Sequence, residues 1–260
     1  MPRPLRIEYE NAYYHVMNRG AGRRRIFHDT QYFEAFITTL AEAHARFRIE
    51  ILCYCLMGNH YHLLVKTPQA NLGRAMRHIN GVYTQRHNRL RKTDGSLFRG
   101  RYKAICVEEN SYQLQLSRYI HRNPLEAKFV DRLENYPWSS YRYFTSSEKS
   151  PEWLYPFDIW AQLGARSKKY EKYRHFVELG NDDELIQLYS KTNQVPYLGS
   201  EAFRDWAYQQ REILIDEVDI VRKELVAFRP TIDEIAEKVA KVFKVDKAVI
   251  MTKGRLKGFA

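Results

Sequence analysis

The chain has 260 residues, 44% of them apolar, three cysteines and a net charge of +11, a length that suits one large domain or two smaller ones. No apolar run approaches a bilayer span, and the N-terminus MPRPLRIEYEN lacks the apolar core of a signal peptide, so membrane-embedded and secreted classes are set aside in favour of the cytoplasm. Cys53, Cys55 and Cys106 show no C-x-x-C spacing, which argues against a disulfide framework or a zinc ribbon and for buried reduced thiols.

The charge is unevenly placed. Residues 1–145 hold 23 Lys+Arg against 12 Asp+Glu, and residues 146–260 hold 19 of each. The whole excess therefore lies in the first part, in Arg19, Arg23-Arg24-Arg25 and the run from Gln85 to Lys103, which includes Arg99, Arg101 and Lys103. Tyr83, Phe98 and Tyr102 interleave with these cations, a pattern that suits phosphate neutralisation with base stacking.

In chain order, Tyr13–Asn18 is a predicted strand ended by Arg19-Gly20-Ala21-Gly22. Asp29 to Arg46 has a helical stripe at Phe33, Phe36, Ile37, Leu40 and Ala41, with Asp29 or Thr30 as N-cap. Residues 49–66 form a predicted hairpin around Gly58-Asn59. Leu72–His87 is a second helix, Thr93-Asp94-Gly95-Ser96 a loop, and Tyr102–Val107 a further strand. A third helix runs from Asn110 to Arg122, capped by Asn110 or Ser111, and Pro124 marks its expected end. This alternation predicts an α+β layer in residues 1–145, an antiparallel sheet with helices packed on it. Thr145 to Pro151 reads as a linker, and residues 146–228 as a mostly helical region broken near Gly180-Asn181 and Pro196–Gly199. Residues 229–260 form a short helical tail in which Thr231 to Glu234 makes a capping box, followed by a second short helix over 246–251 and a basic end.

Two stretches carry chemistry. In Gly58-Asn59-His60-Tyr61-His62-Leu63-Leu64-Val65 the two histidines are two apart on a strand, so they share a face with Cα atoms roughly 7 Å apart. Two such rings can reach one ion. In Arg118-Tyr119-Ile120-His121-Arg122-Asn123-Pro124 a phenol and an amide four apart share a helix face. Tyrosine is a reasonable nucleophile at a phosphodiester if a Lewis acid or base assists, since its free pKa is about 10. Tyr83 with His87 offers the same spacing, and Tyr112 is a further rival, so spacing alone leaves the nucleophile open.

The combination resembles the HUH single-tyrosine transposases, and within them the REP-associated tyrosine transposases. The resemblance rests on Tyr14-His15-Val16-Met17-Asn18-Arg19-Gly20, on Leu56 to Val65, on Gly100-Arg101-Tyr102-Lys103, on Arg118 to Pro124, and on Trp138-Ser139-Ser140-Tyr141. It implies a ferredoxin-like fold, a divalent ion (Mg²⁺ or Mn²⁺) held by His60, His62 and Asn123, and attack by Tyr119 on single-stranded DNA to give a 5′-phosphotyrosine. The partner it implies is a palindromic, REP-like hairpin, with Arg19, Arg23, Arg24, Arg25, Arg99, Arg101, Lys103, Arg118 and Arg122 as DNA contacts. A homodimer is compatible with it. Residues 230–258 more weakly resemble the start of the DNA-binding domain of the replication initiator DnaA. Two other functions compete: a catalytically inactive hairpin-binding regulator, and a hydrolytic zinc enzyme with His15 or His121 as an extra ligand.

Overall fold

The computed structural model describes residues 6–109, 111–164, 167–181, 183–190, 196–227 and 232–248. The expected caps Asn110 and Thr231 and the basic end after 248 lie outside the described residues.

The first six elements are β1 (Ala12–Arg19), α1 (Thr30–Phe47), β2 (Glu50–Met57), β3 (His60–Thr67), α2 (Leu72–Arg91) and β4 (Lys103–Val107). Asp29 caps α1 by accepting from the Gln31 amide. The sheet order is β2-β3-β1-β4, with every one of these pairs antiparallel. Two helical crossovers, β1-α1-β2 and β3-α2-β4, each return the chain parallel to where it began with one strand between, which is the ferredoxin-like arrangement. The α+β reading of the sequence thus holds. β3 is a central strand because its apolar residues fall on both faces, as burial on both sides requires.

Strand alternation sorts the two faces. Tyr61, Leu63 and Val65 point to the layer of α1 and α2, where Phe36 meets Tyr61 at 4.8 Å between ring centroids. Tyr13, Cys53, Cys55, Leu64, Ile105 and Val107 point the other way, into a core shared with Leu116 and Ile120 of α3 (Ser111–Glu126). His15 and His62 lie on this second face, because His62 pairs with Met17 and His15 with Leu64 across the β1–β3 ladder.

The expected end of α3 at Pro124 is corrected: the helix continues to Glu126 with Pro124 inside it. Proline removes the N–H that would bond the carbonyl four residues back. The Asn123 Nδ2 lies 3.5 Å from that Ile120 carbonyl, while its shorter bond, 2.8 Å, goes to the Tyr119 carbonyl.

Beyond α3 the chain returns over the outer edge of β2. Leu56 N–H donates to the Trp138 carbonyl and Ser140 N–H to the Tyr54 carbonyl, so the edge strand is paired rather than open. The helices that follow are α4 (Tyr141–Thr145), α5 (Phe157–Gln162), α6 (Lys169–Glu178) and α7 (Asp183–Ser190). Their residues Phe144, Ile159, Trp160, Tyr173, Val177 and Leu185 join the core of the α3 face. A two-residue strand, β5 (Tyr197–Leu198), then pairs parallel to β4. The sequence reading had a break between helices here, at Pro196–Gly199, and no strand. Two residues carry no period, so pattern alone does not reveal such a strand.

The last helices are α8 (Glu201–Ala227) and α9 (Ile232–Phe243). The chain forms two compact units, residues 1–210 and 211–260, so the helical stretch from 146 to 210 shares one unit with the sheet. Among the described residues no helix is long and apolar enough to cross a membrane.

Candidate nuclease site

His60 opens β3 directly opposite Arg19, at the end of β1. Its Nδ1 is 2.6 Å from the Asn59 side-chain oxygen. An amide oxygen can only accept, so the ring proton sits on Nδ1 and Nε2 keeps its lone pair. His62 lies two residues on, with ring centroids 5.0 Å apart. Its Nδ1 is 2.9 Å from Nε2 of His15, again leaving Nε2 for a ligand role.

The rings are held neutral, which ligation needs. Burial, then the charge of Arg19, lowers the His60 pKa from 6.5 to about 4. Burial lowers His15 to about 3, and burial with the two neighbouring histidines pushes His62 well below its ordinary value.

Tyr119 approaches this pair from α3. Its ring lies 6.1 Å from that of His62 and 6.2 Å from that of His15, edge-on to both. Leu116 and Ile120, both fully buried, seat the helix on the sheet and so aim Tyr119 at the histidines. Burial, and secondarily the charge of Glu126, raises the phenol pKa to about 12. The rivals fall elsewhere. Tyr83 is fully buried in the α1–α2 layer and donates to the Ile26 carbonyl at 2.6 Å. Tyr112 packs beside the core about two turns before Tyr119.

His60 and His62 each offer a neutral imidazole nitrogen, a donor type that suits a divalent ion. Asn123 turns its nitrogen onto the helix backbone and keeps its oxygen as the atom that can ligate. Among the described residues no group of three or more His, Cys, Asp or Glu side chains is placed to hold a metal. The extra ligands considered for a zinc hydrolase are both engaged. His121 is fully buried between the Tyr173 and Ser140 hydroxyls, each at 2.7 Å. His15 bonds His62 through one nitrogen and the Tyr189 hydroxyl through the other.

The expected DNA contacts divide into two groups. Arg23, Arg25, Arg99, Arg101 and Lys103 are exposed, and Arg19 half-buried, around the His60 end of the sheet. Backbone bonds tie these segments together: Gly20 N–H to the Asn59 carbonyl, Ala21 N–H to the Leu97 carbonyl and Arg99 N–H to the Arg19 carbonyl. Gly20 permits the close turn, since a Cβ there would stand 2.2 Å from the Arg24 carbonyl oxygen. Arg24, although exposed, donates to the Ser96 and Leu97 carbonyls and so braces the loop. Arg118 and Arg122 point away, toward α6. Arg118 is buried, lies 4.4 Å over the Phe176 ring and donates to the Phe176 carbonyl and the Gln115 side chain. Arg122 donates to the Val177 carbonyl and pairs with Glu126 at 3.0 Å. Tyr83, Phe98 and Tyr102, expected as a stacking surface, are all buried, so the exposed patch is cationic without them.

One residue at the site carried no signal in the sequence. Tyr189 of α7 stacks on Tyr119, with centroids 4.4 Å apart and planes 13° apart.

Residues 8–123 match the family model of IS200-like transposases. A Haemophilus influenzae protein assigned as a REP-associated tyrosine transposase is 20% identical over 134 residues, 47% of this chain and 76% of that one. The solved structure of a REP-associated tyrosine transposase bound to a REP hairpin superposes with a TM-score of 0.50 at 14% identity, over 58% of this chain and 89% of that chain. At that identity the likeness establishes the fold. The resemblance carried by the motifs is thereby borne out: residues 8–123 are similar to IS200-like transposases, and the fold is that of a REP-associated tyrosine transposase.

Proposed function

We propose that the chain is a metal-dependent transposase that cuts and rejoins single-stranded DNA beside palindromic hairpins through a covalent link to Tyr119. The observation that carries this reading is the seating of Tyr119, alone of the three candidate tyrosines, edge-on to the His15–His62 pair. The Tyr119 oxygen attacks the phosphorus, the P–O3′ bond breaks, and the phenol's proton is balanced by the one taken up by the departing 3′ oxygen. The product is a 5′-phosphotyrosine and a free 3′-OH, and attack by a 3′-OH on that link rejoins DNA. His60, His62 and Asn123 would hold Mg²⁺ or Mn²⁺, which supplies charge at the phosphate and favours the leaving oxygen. The phenol is protonated at neutral pH, with its pKa raised to about 12, so it needs such help to react.

The exposed cations around the His60 end would hold the DNA backbone there. The hairpin partner is inferred from the bound state of the structural neighbour together with this placement of charge.

The test is to incubate labelled single-stranded DNA carrying a hairpin with the protein and Mn²⁺, then map the adduct peptide. Tyr119→Phe loses one oxygen and almost no packing. It should bind the DNA as the parent does and form no adduct, a fall of at least about 10³-fold expected for loss of a nucleophile. An adduct on Tyr83 or Tyr112 would refute the assignment. Hairpin binding with no cleavage by the parent protein would favour the regulator.

A further inference from the structure

Tyr189 lies in α7, beyond residues 8–123, yet it touches both halves of the candidate site. Its hydroxyl meets Nδ1 of His15. Nε2 of His15 in turn meets Nδ1 of His62 at 2.9 Å, and the two imidazoles stack with centroids 5.1 Å apart. The Tyr189 ring covers one face of the Tyr119 ring. His15 is fully buried, and its two ring nitrogens are both spent on these neighbours.

We propose that His15 and Tyr189 are positioning residues: a Tyr189–His15–His62 relay sets the tautomer and ring plane of His62, while the Tyr189 ring holds Tyr119 in line with it. The inference rests on the reading of His60 and His62 as ligands. For Nε2 of His62 to ligate, its one proton must sit on Nδ1. Nε2 of His15 then accepts that proton's hydrogen bond. The remaining proton of His15 sits on Nδ1 and is donated to the Tyr189 oxygen, which can accept as well as donate. Each member is neutral, and every nitrogen in the chain has a defined role. Partners one step behind a ligating histidine characteristically fix its orientation and basicity.

Mn²⁺ titration of the protein without DNA reads the relay directly. His15→Phe keeps an apolar ring but leaves Nδ1 of His62 without an acceptor, and should weaken Mn²⁺ binding by about 10–100-fold. His15→Gln places an amide near the old Nε2 position and should restore most of the affinity. Tyr189→Phe should cause an intermediate loss, with the stack on Tyr119 kept. Nitrogen chemical shifts of His62 in metal-free protein should show the proton on Nδ1, moving toward Nε2 in His15→Phe. A merely structural role for His15 would not produce that shift.

Adduct formation at saturating Mn²⁺ tests the clamp. Tyr189→Phe should stay close to the parent, while Tyr189→Leu should be slower by about tenfold or more, the scale of a misplaced reacting group. Unchanged Mn²⁺ affinity in both His15→Phe and Tyr189→Phe, with folding intact by circular dichroism, would overturn the relay. A faster Tyr189→Leu would overturn the clamp and make Tyr189 an obstruction instead. If His15→Phe does not fold, Tyr189→Phe decides alone. If the parent protein binds no Mn²⁺, the ligand reading itself fails, and the relay falls with it. A parent that binds Mn²⁺ and cleaves, with all variants matching it, sinks both the relay and the clamp and leaves the ligand reading standing.

Discussion

His60 and His62 show how residue chemistry is set by neighbours. Asn59 fixes the proton of one ring on Nδ1, and His15 sits in the matching place for the other. Burial keeps both neutral. A neutral imidazole competes poorly for protons, so metal binding should outlast the usual histidine range as pH falls. With the His60 pKa lowered to about 4, Mn²⁺ affinity should be nearly level from pH 7 to about 5.5, then drop toward pH 4. Titration at several pH values checks this, and a midpoint near 6.5 would contradict the burial argument. His60→Ala and His62→Ala should each abolish cleavage, by about 10³-fold or more for loss of a ligand and its charge stabilisation. DNA affinity should change little, because the cations that hold the backbone are other residues. Full cleavage by the double alanine variant in chelator would remove the metal from the mechanism.

At the scale of elements, α3 is fixed on several sides. Leu116 and Ile120 face the sheet, Arg118 and Arg122 reach the α6 carbonyls, and His121 with Ser117 joins Tyr173. His121 also bonds the Ser140 hydroxyl, which accepts from the Tyr54 N–H of β2. One buried network thus ties α3, α6, the 138–141 segment and the edge strand. Ser140→Ala leaves both a ring nitrogen and a backbone N–H short of a partner, at a cost of about 1–3 kcal/mol in a urea melt. The network also sets an acid limit. The folded-state pKa of His121 is lowered to about 3 by burial, against about 6.5 unfolded. The unfolded chain therefore binds the extra proton, and the stability present above pH 6.5 is lost as pH falls toward 3. The loss should be about 1.4 kcal/mol per pH unit for this histidine. A His121 variant that keeps the fold should show a shallower decline, and an identical slope would place the lost stability elsewhere.

Across the molecule, charge and chemistry meet at one end of the sheet. Arg19 pairs with His60, and the segments bearing Arg23–Arg25 and Arg99–Lys103 are hydrogen-bonded to β1 and to the Gly58-Asn59 turn. If five phosphates are neutralised there, log K for single-stranded DNA should fall against log salt with a slope near −3.5, at about −0.7 per contact. Arg99→Glu with Arg101→Glu should weaken binding and flatten the slope. Arg118→Gln should change stability far more than the slope, because that guanidinium is spent inside the protein. A salt-independent affinity, or an equal flattening from Arg118→Gln, would count against this placement.

The sequence by itself determined the layer type, the hairpin at Gly58-Asn59 and the common face of His60 and His62. Each follows from a local rule: alternation in strands, a 3.6 period in helices, and residues that permit tight turns. The basic half of the chain was equally legible, since charge can be counted. Local periodicity says which residues share a face, but not what that face meets. Tyr83 and Tyr119 have matching spacings, and only the packing of α2 and α3 on opposite sides of the sheet separated them. Arg118 and Arg122 read as free cations until α6 was laid against them. Pro124 read as a helix end because nothing in a propensity shows that the Asn123 side chain will reach the Ile120 carbonyl that proline leaves bare. Tyr189 gave no sign at all, 70 residues past Tyr119 in a plain helical stretch. Its place against Tyr119 and His15 is a long-range contact, and long-range contacts are decided by how buried surfaces fit, not by any window of sequence.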